Sequence, residues 1–136
     1  MLKTAVINGV TGQDGFYMAK HLLSRGYEVT GIVRNLDRVN SSNNSLTRVK
    51  CIEWNMKNCD DIKNIISSTD STEFYNFAAY SSGEGMFNNP IGIGEINGIA
   101  VARILEAIRE VKPTMKFCQA SSREIFRVAI ESPQTE

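Results

Sequence analysis

Three glycines at a fixed spacing follow the first apolar run of this chain, and they constrain its fold more than any other feature. Residues 9–15 read Gly-Val-Thr-Gly-Gln-Asp-Gly, a Gly-x-x-Gly-x-x-Gly turn. The apolar run Thr4–Asn8 before the turn is too brief for a helix and is typical of a strand buried on both faces. Apolar residues at helical spacing follow, up to a stop signal at Gly26. With a second strand predicted at 28–33, the pattern indicates a βαβ unit.

The alternation of short strands and helices continues along the chain. The later predicted elements are a surface loop at 35–46, a strand at 49–53, a helix beginning near Asp60, a strand at 74–78, a helix from Ile91 to Val111 and a strand at 115–119. This order predicts an α/β fold, a Rossmann-like doubly wound parallel sheet that is incomplete, with about five strands present. The 136 residues suffice for one domain, so we expect a single domain over 1–136.

Composition excludes several classes of partner. Lysine and arginine together number 15, as do aspartate and glutamate, so bulk charge attracts neither nucleic acid nor anionic membrane. No apolar stretch reaches the length of a membrane span, and the N-terminus lacks the pattern of a signal peptide. One histidine and three scattered cysteines suggest reduced thiols and no metal site. These observations predict a cytoplasmic protein without nucleic-acid or membrane partners.

The glycine turn has two possible roles. A dinucleotide carries a pyrophosphate that needs backbone N–H donors and the positive end of a helix, and a side chain on the turn would block its approach. The same glycines are also compatible with an unliganded turn that caps the helix. Because strand, turn, helix and second strand fall in register, the sequence favours a bound nucleotide. Ligands of such sheets bind beyond the carboxyl ends of the strands, and every candidate below follows one of those ends.

Arg34 follows the second predicted strand and bears on the choice between NAD and NADP. An acidic residue at this place would bind the ribose hydroxyls, whereas an arginine accommodates the 2′-phosphate of NADP. The fixed fork of a guanidinium suits phosphate because it can donate two hydrogen bonds at once. A solvated surface arginine is the alternative interpretation. The residue itself favours NADP.

The stretch GVTGQDGFYMAKHLLSRGYEVTGIVR resembles the GDP-mannose 4,6-dehydratase family of extended short-chain dehydrogenases/reductases. The segments EFYNFAAYSS, NGIAVARILEAI and FCQASSREIF…ESPQTE resemble further parts of that family in the same order. The resemblance covers nearly the whole chain and is weakest at 35–48. It implies NADP as cofactor, a nucleoside-diphosphate sugar as substrate and assembly into a homo-oligomer, either dimer or tetramer.

The resemblance also implies which residues bind the cofactor. Asn55 and Met56 stand where the family usually places an aspartate and an apolar residue beside the adenine. Ala78 and Ala79 match small residues that let the cofactor lie against the backbone, although ordinary tight packing would explain them equally well. The full set of predicted cofactor-binding residues is Gly9, Thr11, Gly12, Gln13, Asp14, Gly15, Arg34, Asn55, Met56, Ala78 and Ala79.

Two residues after the fifth strand carry the implied chemistry. Ser122 matches the hydroxyl residue that orients the sugar 4-hydroxyl, although on position alone it would be a capping serine. Glu124 matches the glutamate that acts as acid and base in dehydration. Removing a C5 proton and protonating a departing hydroxide require a positioned carboxyl group. An epimerase or reductase of the same fold needs no such carboxylate, so Glu124 favours a dehydratase over these alternatives.

The catalytic Tyr-x-x-x-Lys of the family normally follows shortly after the segment matched by ESPQTE, and the sequence ends at Glu136. Tyr75 and Tyr80 lack a lysine four residues later and do not replace it. Either the natural protein continues, or a short module binds a dinucleotide without catalysis. In both cases we expect these 136 residues to be the cofactor-binding portion, to lack the substrate domain and to be inactive alone.

Overall fold

The structure, a computed structural model, describes residues 2–41, 46–81, 85 and 87–122. Within them the chain forms one parallel five-stranded sheet ordered β3-β2-β1-β4-β5. The strands are β1 (Thr4–Asn8), β2 (Glu28–Val33), β3 (Lys50–Glu53), β4 (Glu73–Asn76) and β5 (Lys116–Gln119). The helices are α1 (Gln13–Ser24), α2 (Leu36–Ser41), α3 (Cys59–Ser68), α4 (Pro90–Gly94) and α5 (Ala100–Val111), with a π-helical segment at Glu95–Ile99 between the last two.

Both faces of the sheet are covered, as the apolar run of β1 predicts. Alternate side chains of a strand point to opposite faces. Ala5 and Ile7 accordingly pack with Ala19 and Leu22 of α1, while Val6 packs in a second cluster that includes buried residues of α3 and α5. The predicted doubly wound α/β sheet is therefore confirmed.

The strand order reverses beside β1. From β1 the chain proceeds outward through β2 and β3, then returns to place β4 and β5 on the other side. The crossover connections on the two sides therefore leave in opposite directions, which opens a crevice beyond the carboxyl ends of β1 and β4. This is the place where the glycine turn lies.

The prediction of a surface loop at 35–46 is wrong for residues 36–41, because these residues form α2. The side-chain oxygen of Asn35 accepts a hydrogen bond from the backbone N–H of Asp37 at 2.8 Å, as an N-cap residue does. Leu36 and Val39 pack against the cluster beneath α1. The polar composition of the stretch hid both the cap and these two apolar contacts.

The long helix predicted from Ile91 to Val111 begins at Pro90 and is interrupted by the π-helical segment. The predicted strand at 74–78 extends instead from Glu73 to Asn76. In the part of the chain that the structure describes, no helix has the length and apolar character needed to cross a membrane. The same residues contain no cluster of side chains suited to holding a metal ion.

Candidate functional site

Gly9 lies where three chain segments converge at the switch point. Its backbone has φ +82°, a conformation that residues with a side chain rarely adopt. Its N–H donates to the carbonyl of Ile32 at 3.1 Å, and a Cβ at this position would lie 2.8 Å from the backbone nitrogen of Ala78. Only glycine therefore fits between the ends of β2 and β4.

The other two glycines of the turn meet different surroundings. A Cβ on Gly15 would overlap the carbonyl oxygen of Gly9 and lie 2.9 Å from Cα of Val10, so Gly15 lets α1 pack closely on the turn. A Cβ on Gly12 would meet only the Gly9 oxygen, at 3.3 Å. Gly12 lines the cavity described below. One glycine is thus required for packing, and the other keeps the cavity open.

Helix α1 points its N-terminus toward this turn. Gly12 is the N-cap residue and supplies no side-chain hydrogen bond to the first turn. The N–H groups at a helix start have no partner inside the helix, and the helix dipole makes this end positive. Backbone donors directed at an anion are the usual consequence of such a geometry.

A cavity of about 250 Å³ lies beyond the carboxyl ends of the central strands. It brings together predicted residues from four different segments: Gly9, Thr11, Gly12, Arg34, Met56, Ala78 and Ala79. It also includes residues that sequence reasoning missed: Asn8, Ile32, Val33, Trp54, Phe77, Tyr80 and Ile96. Its walls combine apolar side chains with a comparable area of polar surface, which suits a ligand that has both apolar and anionic parts.

Several predicted site residues do not line this cavity. Gln13 and Asp14 are exposed in the first turn of α1. Asn55 is exposed, and its side-chain oxygen accepts from the backbone N–H of Lys57 at 3.2 Å, which makes it a turn residue in this structure. Ser122 is exposed beyond β5, and Glu124 lies outside the described residues.

Arg34 contributes the cavity's charge. The guanidinium is exposed at the end of β2 and is the single charged side chain among the residues found to line the cavity. Over the described part of the chain, no ion pair involves Arg34. Its donors are consequently available to an anionic ligand.

Two walls of the cavity are held from the π-helical segment and α5. Asn97 accepts from the backbone N–H of Tyr80 at 2.8 Å and donates to the carbonyl of the same residue at 3.0 Å. Arg103 donates to the carbonyl of Met56 at 3.1 Å and to the carboxylate of Glu95 at 2.8 Å. The hydrogen bond to Glu95 raises the pKa of the Arg103 guanidinium. The contacts of Asn97 with Tyr80 and of Arg103 with Met56 join residues 17 and 47 positions apart, so no local pattern could have predicted them.

Tyr75 is unsuited to proton abstraction. Burial, followed by its hydrogen bond to Glu73, raises the pKa of the Tyr75 hydroxyl to about 12. The hydroxyl donates to the Glu73 carboxylate at 2.8 Å. A catalytic tyrosine needs the opposite shift, toward neutral pH. The geometry agrees with the expectation that Tyr75 does not replace the Tyr-x-x-x-Lys of the family.

The strand order and the glycine turn at the switch point define a Rossmann-like α/β domain. Residues 6–136 match the family model described as GDP-mannose 4,6 dehydratase. The chain therefore belongs to the GDP-mannose 4,6-dehydratase family, which confirms the resemblance seen in its motifs.

Curated relatives agree with this family. The GDP-mannose 4,6-dehydratase of Vibrio cholerae is 36% identical over 152 residues, covering 100% of this chain and 40% of that protein. The human GDP-mannose 4,6 dehydratase is 34% identical over 149 residues, covering 97% of this chain and 39% of that protein. The chain thus spans about two fifths of the length of these relatives and corresponds to their N-terminal part.

Solved structures agree with the fold. The UDP-glucose 4-epimerase of Bifidobacterium longum, in complex with NAD+ and UDP, superposes with a TM-score of 0.81 at 16% identity, over 98% of this chain and 41% of that one. The UDP-glucose 4-epimerase of Brucella ovis, in complex with NAD, gives a TM-score of 0.81 at 17% identity, over 96% of this chain and 39% of that one. At these identities the likeness establishes the fold alone.

Proposed function

We propose that this chain is the cofactor-binding portion of an NADP-dependent nucleotide-sugar 4,6-dehydratase, with GDP-mannose as the substrate. The observation that carries the proposal is the cavity at the switch point, where the glycine turn, the start of α1 and Arg34 meet. Relatives at 34% and 36% identity bear the name GDP-mannose 4,6-dehydratase, which supports the choice of substrate.

Different residues of the cavity would bind different parts of the cofactor. The backbone of the turn and the first N–H groups of α1 suit the pyrophosphate. Met56 suits the adenine ring. Ala78 and Ala79 have small side chains, so the cofactor can lie against the backbone there. Arg34 suits the 2′-phosphate, and no carboxylate is found among the described residues that line the cavity to favour ribose hydroxyls instead. The site therefore fits NADP better than NAD.

The proposed dehydration chemistry follows from the family resemblance, which assigns roles to Ser122 and Glu124 after β5. NADP, when bound, supplies a site that takes a hydride from sugar C4 and returns it at C6. Ser122 would orient the 4-hydroxyl of the sugar, and the tyrosine of the family's Tyr-x-x-x-Lys would take its proton as the C4 ketone forms. Glu124 removes the proton from C5, which the C4 ketone acidifies, and protonates the hydroxide that leaves C6. A proton would be restored to C5 as the hydride is returned to C6. Product analysis tests this: Glu124→Gln in the full-length enzyme should abolish the 4-keto-6-deoxy sugar and preserve NADP affinity. Continued production of that sugar would contradict the role.

Arg34→Ala tests the choice of cofactor. Removing the guanidinium should weaken NADP binding by about tenfold to a hundredfold, because hydrogen bonds to charged groups contribute about 1.5–3 kcal/mol. NAD affinity should change little, since NAD lacks the phosphate that Arg34 would hold. Isothermal titration calorimetry with both dinucleotides measures the two constants.

Arg48→Ala is the matched control. Arg48 is also exposed, but it precedes β3. It therefore lies at the amino ends of the strands, away from the cavity at their carboxyl ends. Its loss should leave both affinities unchanged. Equal weakening of NADP and NAD by Arg34→Ala would refute the assignment of the 2′-phosphate to this residue.

A further inference from the structure

Three amide side chains lie side by side at the carboxyl ends of β1, β4 and β5. Asn8, Asn76 and Gln119 are register partners in the sheet, and Asn8 and Asn76 are buried. Asn8 donates through Nδ2 to Oδ1 of Asn76 at 2.8 Å, and Asn76 donates through Nδ2 to Oε1 of Gln119 at 2.8 Å. Gln119 donates through Nε2 to the carbonyl of Ala120 at 3.0 Å. We call these three residues the amide ladder.

The last bond of the amide ladder fixes the direction of all the others. A backbone carbonyl can only accept, so Gln119 must direct its NH₂ group at Ala120. Its oxygen then faces Asn76, which must present its NH₂ group in turn, and the same reasoning orients Asn8. Every donor therefore points from β1 toward β5. Aligned hydrogen bonds of this kind polarise and strengthen one another.

One end of the amide ladder borders the cavity, and the other end lies beside the segment that carries Ser122. Asn8 immediately precedes Gly9 and lines the cavity. Ala120 stands two residues before Ser122, the residue proposed to hold the sugar hydroxyl. The backbone N–H of Ala120 also donates to the carbonyl of Asn76 at 3.1 Å, so the side-chain and backbone bonds hold the same residue from two directions.

Burial explains why the side chains of Asn8 and Asn76 have one geometry. An amide placed among apolar atoms is costly unless its groups are bonded, and no buried side-chain polar atom of the described residues lacks a partner. A displacement of one member would leave the next without its donor or acceptor. The buried pair of Asn8 and Asn76 therefore fixes β4 relative to β1, and Gln119 extends the hydrogen bonds to β5.

We propose that the amide ladder positions residues 120–122 relative to the glycine turn, and thereby sets where the nicotinamide half of the dinucleotide meets Ser122. The proposal rests on the function proposed above. Asn76 and Gln119 are positioning residues in it: they act on the cofactor through the segment that they hold, and Asn8, which also lines the cavity, anchors them to β1. The adenine half would bind near Met56 and Arg34, away from Gln119 and the segment that it holds.

Two substitutions of Gln119 separate the links. Gln119 is exposed, so both variants should fold. Gln119→Glu still accepts from Asn76 but cannot donate to Ala120, whereas Gln119→Met breaks both bonds with a side chain of similar length. Asn64→Asp, at an exposed position in α3, controls for the added charge.

Nuclear magnetic resonance of the ligand-free chain gives the first readout. Both Gln119 variants should shift the backbone amide signals of Ser121 and Ser122. Gln119→Met should shift the side-chain NH₂ signals of Asn76 upfield, because their acceptor is lost, whereas Gln119→Glu keeps a charged acceptor and should shift them downfield. Unchanged Ser121 and Ser122 signals in both variants would overturn the proposal without reference to any ligand.

Binding gives the second readout, with NADPH as the whole ligand and adenosine 2′,5′-bisphosphate as the adenine half alone. Both Gln119 variants should weaken NADPH by about threefold to tenfold, the equivalent of one ordinary hydrogen bond, and leave the bisphosphate within about twofold. Equal weakening of both ligands would contradict a role confined to the nicotinamide half. A wild-type chain that binds neither ligand would refute the proposed function and the cofactor role of the amide ladder, while the ligand-free spectra would still decide whether the ladder holds the segment.

Discussion

Gly12 and Gly15 stand three residues apart in one motif, yet a side chain added at each position would meet different surroundings. The difference comes from direction alone: Gly12 borders the cavity, and Gly15 faces the backbone of the turn. The spacing of the glycines predicts that all three matter, but only the structure separates the one whose side chain would clash with backbone from the one that borders the cavity.

The two alanine variants should therefore behave differently. Gly15→Ala should lower the free energy of unfolding by about 1–3 kcal/mol, because its Cβ overlaps backbone atoms that cannot move freely. Gly12→Ala should lower stability by less, below about 1 kcal/mol, because its Cβ meets only one backbone oxygen, at 3.3 Å. It should also weaken NADPH binding by about tenfold, since a methyl group would enter the path of the pyrophosphate. Urea denaturation and calorimetry measure the two quantities. The reverse pattern would show that the two glycines have been assigned to the wrong roles.

Arg34 shows how far a single residue can be interpreted from sequence. Its place after β2 predicts a contact with the ligand, and the structure brings it to the cavity. Asn55 shows the limit, because its side chain bonds to the turn that it begins. Both residues follow strands, and sequence position cannot distinguish a side chain directed at a ligand from one that satisfies its own backbone.

At the scale of elements, the strands and helices with regular apolar spacing were predictable. The runs that became β1, β2 and α1 carry periods that reflect burial on one or two faces. The helix α2 was not predictable from the sequence, because it depends on the cap at Asn35 and on the packing of Leu36 and Val39 against residues distant in sequence. The π-helical segment could not be inferred either, since its sequence continues an ordinary helical pattern.

The π-helical segment supports the cavity through Asn97. Asn97→Ala removes both hydrogen bonds to the backbone of Tyr80. Amide hydrogen exchange at Tyr80 should accelerate by about fivefold to tenfold, because one lost hydrogen bond is worth about 1 kcal/mol. Asn64→Ala, in α3, provides the control and should leave that exchange rate unaltered. An unchanged rate at Tyr80 in the Asn97 variant would mean that the segment does not hold this wall.

For the whole molecule, strand order decides where a ligand can bind. The reversal between β1 and β4 opens the crevice, and the sequence predicted a parallel sheet but could not give the order of its strands. A second cavity, of about 300 Å³, lies toward the amino ends of the strands and is lined by Lys3, His21 and Arg25 among others. The described residues that line that cavity include basic side chains but neither a residue of the turn at 9–15 nor a helix N-terminus, so they do not provide the backbone donors that a pyrophosphate needs.

The central claim is that the cavity at the switch point binds the dinucleotide. Titrating the isotope-labelled chain with NADPH, and following each backbone amide signal by nuclear magnetic resonance, tests it most directly. We predict saturable shifts at Gly9, Gly12, Arg34 and Ala78, with little change at His21 beside the opposite cavity. An absence of shifts, or shifts concentrated around His21, would contradict the account.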